Sequence, residues 1–344
     1  MSKFQRMNLT VKPKLLDKLL LEYLSGHAPS KASAAEACGV SKVTSGKVAD
    51  ALIACGFMDG RIFSKGERRP STHLLFNDRS SVLIIDLSGA IYKMCVVNPT
   101  GETLLTLTHA YDPEVTFEDN LNIFISRNGL KLKNSRLNFA AVSVLYTDDG
   151  RRSQIEHTGR VSFLPSILIR EYVEDVILTI LGRKVTLHLT LSEAIGEAVK
   201  FKAIDIGPSR GGISYIFIGS RISSFHIYPN GSAVICSPEN MLSGKELADI
   251  RNIRLIPKEK SDALFIKTAD FMDSAFAAHI LLLSSDILTP DRETADLICR
   301  KFTLTGRQAP IIYLRDNSFP PEYLGISRSS LLLTVKKHII SSSK

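Results

Sequence analysis

The 344-residue chain has no C-x-x-C pair, and its five cysteines, Cys38, Cys55, Cys95, Cys236 and Cys299, are far apart and odd in number. This argues against a disulfide framework and for reduced thiols in a cytosol, most of them acting as small buried hydrophobes. No apolar run reaches about 18 residues, and the opening MSKFQRMNLTVKPK lacks an apolar signal core. Neither membrane spanning nor export is expected, and the predicted location is the cytoplasm. An internal repeat is missing, as is any low-complexity tract beyond the polar stretch Ser341 to Lys344. What remains is ordinary globular composition, 44% hydrophobic and 23% charged, long enough for two or three compact units. Acidic residues are scarce at one end: residues 1–80 carry 13 Lys or Arg against 7 Asp or Glu, a net of +6 out of +8 for the whole chain. That asymmetry is expected of a segment that binds nucleic acid.

Within that segment, Leu15, Leu16, Leu19, Leu20 and Leu24 fall three or four apart, which predicts a helix over Pro13 to Leu24 ended by Gly26. A second, alanine-rich helix is predicted over Ser30 to Cys38. Gly39-Val40-Ser41 is a tight turn, with Gly39 able to take the left-handed conformation and Ser41 able to cap a third helix running to about Cys55. Val48, Leu52 and Ile53 are its predicted inward residues. A hairpin follows, Met58 to Phe63 and Thr72 to Phe76, with a basic tip between. Three helices and a basic hairpin make a winged helix-turn-helix, whose third helix enters the major groove of double-stranded DNA. The candidate base-contacting residues are Ser41, Lys42, Thr44, Ser45 and Lys47, and Lys65, Arg68 and Arg69 would grip the backbone from the wing. Gly46 lies inside that helix at a cost of about 1 kcal/mol relative to alanine. A helical protein-interaction module with a solvated basic loop is the structural alternative.

The next stretch, SVLIIDLSGAIYKMCVVNPTGE from Ser81 to Glu102, is a β-branched run ending in Asp86, a tight turn, a second run from Ala90 to Val97, and a further turn. Farther on, Phe139 to Tyr146 and Lys184 to Leu191 read as strands and Ile167 to Leu181 as an amphipathic helix, the alternation of an α/β core. Ile213 to Ile218, Phe225 to Tyr228 and Ala233 to Cys236 read as an antiparallel set. Helices are predicted over Asp262 to His279 and Asp291 to Phe302, and Leu331 to Ile340 could close back on the first unit.

The order of winged helix, the phrase GERRPSTHLLFN at Gly66 to Asn77 and the Asp86 hairpin resembles the repressor branch of the ROK family (repressors, open reading frames and kinases). Its helix-turn-helix phrase is matched by Gly39-Val40-Ser41-Lys42-Val43-Thr44-Ser45, and the end of its wing by Glu67-Arg68-Arg69-Pro70. The Asp86 hairpin is similar to the first phosphate loop of actin-like sugar kinases. The resemblance implies a multi-domain α/β fold: a winged helix-turn-helix over 1–78, then a two-lobed actin-like, sugar-kinase (ribonuclease H-like) ATPase fold with lobes over 79–195 and 196–344.

Four of the family's landmarks are altered together. The first phosphate loop reads Asp86-Leu87-Ser88-Gly89-Ala90, without its second glycine and its hydroxyl. The position of the family's catalytic Asp is Leu189, which takes no proton, although the following phrase ends in Gly196-Glu197 as expected. The second phosphate loop keeps one glycine in Ile218-Gly219-Ser220-Arg221-Ile222-Ser223-Ser224-Phe225, and the adenine-side glycines are replaced by Ser284-Ser285-Asp286. The family's zinc site has no counterpart either, since neither Cys nor His lies between Cys236 and His279. Its missing histidine also orients sugar in family members.

Asp86 therefore reads as a partner for its own turn. Asp148-Asp149-Gly150 is a solvated turn, and Gly207 to Gly212 lacks Walker spacing. No catalytic, cofactor or metal residue is expected, and no cofactor. The reading is a DNA-binding transcriptional regulator, a repressor with a pseudokinase body used to form a homodimer or higher oligomer and to sense a small-molecule effector, a carbohydrate being the weaker candidate. The alternatives are an active ATP-dependent sugar kinase with an added winged helix, and a protein-binding scaffold.

Overall fold

A computed structural model describes residues 11–25, 30–63, 71–88, 91–110, 112, 114–146, 153–157, 160–164, 166–201, 212–218, 222–230, 232–236, 257–277, 279–284, 290–314 and 321–342. Three helices come first, α1 (Pro13–Leu24), α2 (Lys31–Cys38) and α3 (Lys42–Ala54), followed by the antiparallel pair β1 (Met58–Phe63) and β2 (Ser71–Phe76). Local chemistry sets their ends. Ser30 and Ser33 form a reciprocal cap on α2. Gly39, at φ +65°, closes it with its N–H bonded to the Ala35 and Glu36 carbonyls, and Ser41 Oγ then accepts from Thr44 N–H to start α3. Leu16, Leu19, Leu20 and Leu24 bury one face of α1 against Val48, Ala49 and Leu52 of α3.

The body is built on two five-stranded sheets of the same topology. The first comprises β3 (Val82–Asp86), β4 (Ile91–Val97), β5 (Thr103–Ala110), β6 (Ala141–Tyr146) and β9 (Leu187–Thr190), in the order β5-β4-β3-β6-β9. The strands β7 (Ser153–His157) and β8 (Arg160–Leu164) pair only with each other. The second sheet comprises β10 (Ile213–Ile218), β11 (Ile222–Ile227), β12 (Ala233–Cys236), β13 (Ile280–Ser284) and β14 (Ile311–Leu314), in the order β12-β11-β10-β13-β14. In both, the first three strands are antiparallel and the last two join in parallel.

Alternation along β3 divides the core of the first sheet. Leu83 and Ile85 face α4 (Phe117–Asn134) and α5 (Ser166–Leu181), where Phe117, Leu121, Phe124, Val173 and Ile177 cover them. Val82 and Ile84 face the other way, onto Ala194 of α6 (Leu191–Lys200) and Tyr323 and Ile326 of α9 (Pro321–Ser342). The second sheet has one face covered by α7 (Lys258–Phe276) and α8 (Arg292–Leu304), and its other face meets Ile195 and Ala198 of α6 and Leu324 of α9. Helices α6 and α9 thus lie between the two sheets. They cross closely because Gly325 has no side chain: a Cβ there would stand 2.4 Å from the Ala198 nitrogen.

Several expected boundaries differ: the strand expected over Phe225 to Tyr228 runs Ile222–Ile227, and the helix expected over Asp262 to His279 runs Lys258–Phe276. The strand expected to reach Leu191 stops at Thr190, whose side chain caps α6 in a reciprocal pair with Glu193. The segment expected from Leu331 begins a helix earlier, at Pro321, and its polar start is buried: Ser330 bonds Ser143, Ser329 bonds Glu197, and Arg328 donates to the Pro99 and Phe201 carbonyls at 2.9 and 2.8 Å. Farther along, Leu331, Leu332 and Val335 enter the core of the three-helix head. Lys336 pairs with Asp17 at 2.5 Å, and His338 meets the Phe57 ring edge-on at 5.5 Å. All five cysteines are free. Among the described residues no helix is long and apolar enough to cross a membrane.

Candidate nucleic-acid interface and the Asp86 turn

Burial along α3 divides its residues by face. Ser45, Val48, Ala49 and Leu52 point into the head, and Lys42, Val43, Lys47 and Asp50 point out. Ser41 is exposed and occupied as the helix cap, and Thr44 is half-buried with its hydroxyl 2.9 Å from Ser41 Oγ. Both stand beside the outward face.

Ser45 is a correction to the expected set of base-contacting residues. It is fully buried, and its hydroxyl donates to the Lys31 carbonyl at 2.8 Å and lies 2.5 Å from the Tyr23 hydroxyl. Tyr23 also bonds the Ser45 carbonyl at 3.1 Å, and burial raises its pKa. One serine therefore ties α1, α2 and α3 together and has nothing left for a ligand. The helical period held the signal: with Val48 and Leu52 inward, position 45 falls on their side.

The charges of the outward face are uneven. Lys42 and Lys47 are exposed. Asp50, which would repel phosphate, is held at 2.5 Å by Lys31 at the start of α2. Val43 is the residue sequence patterns missed; its side chain is 70% exposed in the first turn. Lys65, Arg68 and Arg69 lie outside the described residues, as does the rest of the hairpin tip. Of the remaining described head cations, Lys12, Lys14, Lys18, Arg61 and Arg79 are exposed.

The Asp86 turn is a closed structure. Asp86 ends β3 with 2% of its surface exposed; Oδ1 accepts from the Ser88 N–H at 2.9 Å and the Ser88 hydroxyl at 2.5 Å, and Oδ2 accepts from Tyr323 Oη at 2.6 Å. This is the turn-capping role expected of it, with a second partner from α9 added. Leu189 is buried among Val82, Ile84 and Tyr323, an apolar site with no proton acceptor of its own. The adjacent His188 bonds Glu174 at 2.7 Å, and desolvation is the main cause that lowers its pKa. The 202–211, 219–221 and 285–289 segments, which hold the other glycine-rich or altered loops, lie outside the described residues. Among the described residues no cluster of three or more His, Cys, Asp or Glu is placed to hold a metal ion.

No protein-family model and no curated protein matches the sequence. Solved structures do. A crystal structure of a ROK family transcriptional regulator, described as a homolog of the E. coli MLC protein, aligns with a TM-score of 0.57 at 10% identity over 95% of this chain and 100% of that one. An inorganic polyphosphate/ATP-glucomannokinase from Arthrobacter sp. strain KM aligns with a TM-score of 0.46 at 14% identity, over 74% and 99% of the two chains. A ROK family glucokinase from Streptomyces griseus, in complex with glucose and AMPPNP, gives 0.47 at 14%, over 72% and 98%. The first of these establishes the fold class, a mixed α/β architecture of the kind the sequence resemblance implied.

Proposed function

We propose that the chain is a DNA-binding transcriptional regulator, a repressor whose body has given up sugar phosphorylation and serves to pair two copies and to sense a small molecule. The observation that carries the reading is the face of α3: Lys42 and Lys47 stand exposed, while the opposing acid Asp50 is held by Lys31. Helix α3 is then the recognition helix of a winged helix-turn-helix, and a dimer presents two of them to half-sites about one helical turn apart. Lys65, Arg68 and Arg69 of the wing tip supply salt-dependent backbone contacts. Leu189 at the place of the base and an Asp86 carboxyl already bonded to Ser88 and Tyr323 support the reading of the body as a silent kinase.

Gel shift of the full chain on genomic fragments tests the reading, with a salt-sensitive shift that survives competitor DNA as the expected result. Lys42→Ala and Lys47→Ala should weaken specific binding by about 1–3 kcal/mol each, and Arg68→Ala with Arg69→Ala should weaken all duplexes alike. Absence of any shift leaves a scaffold, and ADP release from ATP with a hexose leaves a kinase.

A further inference from the structure

Val43 is 70% exposed, and it is β-branched, which makes it a poor choice for an exposed helix position with no packing in return. A lone exposed valine on a protein surface is unremarkable. Its place is what distinguishes this one. Residues 43, 46, 47 and 50 share one face of α3, one turn apart, with Lys42 and Lys47 exposed on either side of Val43. Between Val43 and Asp50 that face carries Lys47 and, at position 46, no side chain. Position 46 is a glycine although its own surroundings do not require one: an added Cβ would meet nothing nearer than Lys31 Cδ at 3.9 Å. The glycine is half-buried beside the Lys31 chain that reaches Asp50, and it leaves Val43 the one apolar side chain of that face. An apolar knob flanked by two cations forms a surface suited to a polyanion that itself presents a small apolar group.

We infer that Val43 is a specificity-determining residue that packs on the 5-methyl group of a thymine in the major groove, with Lys42 and Lys47 holding the flanking phosphates or base edges. This rests on the proposed reading of the chain as a DNA-binding protein. Thymine is the only base of DNA that offers a methyl in that groove, and an apolar side chain in the first turn of a recognition helix is placed to contact it. The interaction adds no charge, so it sharpens the choice of sequence without altering the salt dependence set by the lysines.

The test begins with the full chain and duplexes selected from a random pool. Each thymine of the selected site is then replaced by deoxyuridine, which removes the methyl and keeps the pairing. One position per half-site should lose about three- to fivefold in affinity, the amount expected for a buried methyl. Val43→Ala should lose a similar factor on the thymine site and nothing further on the deoxyuridine site, the signature of a coupled pair. Its salt slope should equal that of the parent chain. As an exposed substitution to a better helix former it should fold, and an unchanged thermal midpoint checks this. Deoxyuridine and Val43→Ala losses that simply add, or a selected site with no thymine whose methyl matters, would overturn the assignment while leaving DNA binding intact. A chain that selects no duplex at all overturns both.

Discussion

Tyr323 donates its hydroxyl to Oδ2 of Asp86 at 2.6 Å, across 237 residues of sequence, while Ser88 holds Oδ1. The bond joins the end of a central strand to the first turn of α9, and both residues are buried. Tyr323→Phe keeps the ring and removes the donor. It is expected to lower the unfolding free energy by about 1–3 kcal/mol, seen as a lower urea midpoint at unchanged m-value. A midpoint equal to that of the parent chain would show that the Tyr323 hydroxyl adds nothing to stability.

Two glycines should respond in opposite directions to the same substitution. At Gly325 an added Cβ meets Ala198 backbone atoms at 2.4 and 2.7 Å, and Gly325→Ala is expected to destabilise the fold by about 1–3 kcal/mol or more as α6 and α9 are forced apart. At Gly46 the nearest atom is the flexible Lys31 Cδ at 3.9 Å, so Gly46→Ala should stabilise by up to about 1 kcal/mol. If α3 is the recognition helix, the same Gly46→Ala change should weaken specific DNA binding. Thermal melts of both variants and a titration of the second with its selected duplex check these signs.

Arg328 is buried, and desolvation pushes its pKa down to about 10, which makes its charge an expense that the two accepting carbonyls of Pro99 and Phe201 offset. Lysine cannot reproduce the planar fork that reaches both acceptors. Arg328→Lys should therefore destabilise at least as much as Arg328→Met, which removes the charge along with the bonds. Chemical denaturation of the pair ranks them, and a lysine variant clearly more stable than the methionine one would show that the charge itself is favourable.

His226 supplies a pH dependence. It is buried, stacked on Phe276 at 4.8 Å with Nδ1 2.9 Å from Ser214 Oγ, and desolvation holds its pKa below the ordinary 6.5. The unfolded chain takes up the proton more readily, so this contribution to stability is complete above about pH 6.5 and is lost as pH falls below it. His109 and His188, also lowered chiefly by burial, act in the same direction. His226→Asn, which retains a polar partner for Ser214, should reduce the drop in urea midpoint between about pH 7.5 and pH 5.5. An unchanged drop would assign the effect to the other two.

What the sequence made legible was whatever is encoded within a turn or two of chain. The cap at Ser41, the left-handed Gly39, the apolar face of α1 and the strands on either side of Asp86 all follow from neighbours. Features that depend on distant chain were hidden. The inward side of Ser45 was legible from the helical period, but its partners Tyr23 and Lys31 were not. The run Ser327 to Ser330 is polar in sequence, yet it is helix buried between sheets because Val97, Glu197 and Ser143 satisfy its hydroxyls. Strand β5 and helix α4 were missed for another reason: β5 is an edge strand with only part of one face covered, and α4 carries enough polar residues to blur its period. The two sheets repeat one topology with no trace of it in the residues, since strand order constrains which side chains are apolar and not which apolar ones they are.

The passage of α9 into the head bears on how the protein is made. Leu331, Leu332 and Val335 fill the core around α1 and α3, and Lys336 pairs with Asp17, so the head is closed by residues that lie far along the chain. During synthesis the leucines of α1 have an uncovered side that only later residues close. A nascent or proteolysed chain lacking α9 would carry that sticky surface into the cell, a target for chaperones and proteases.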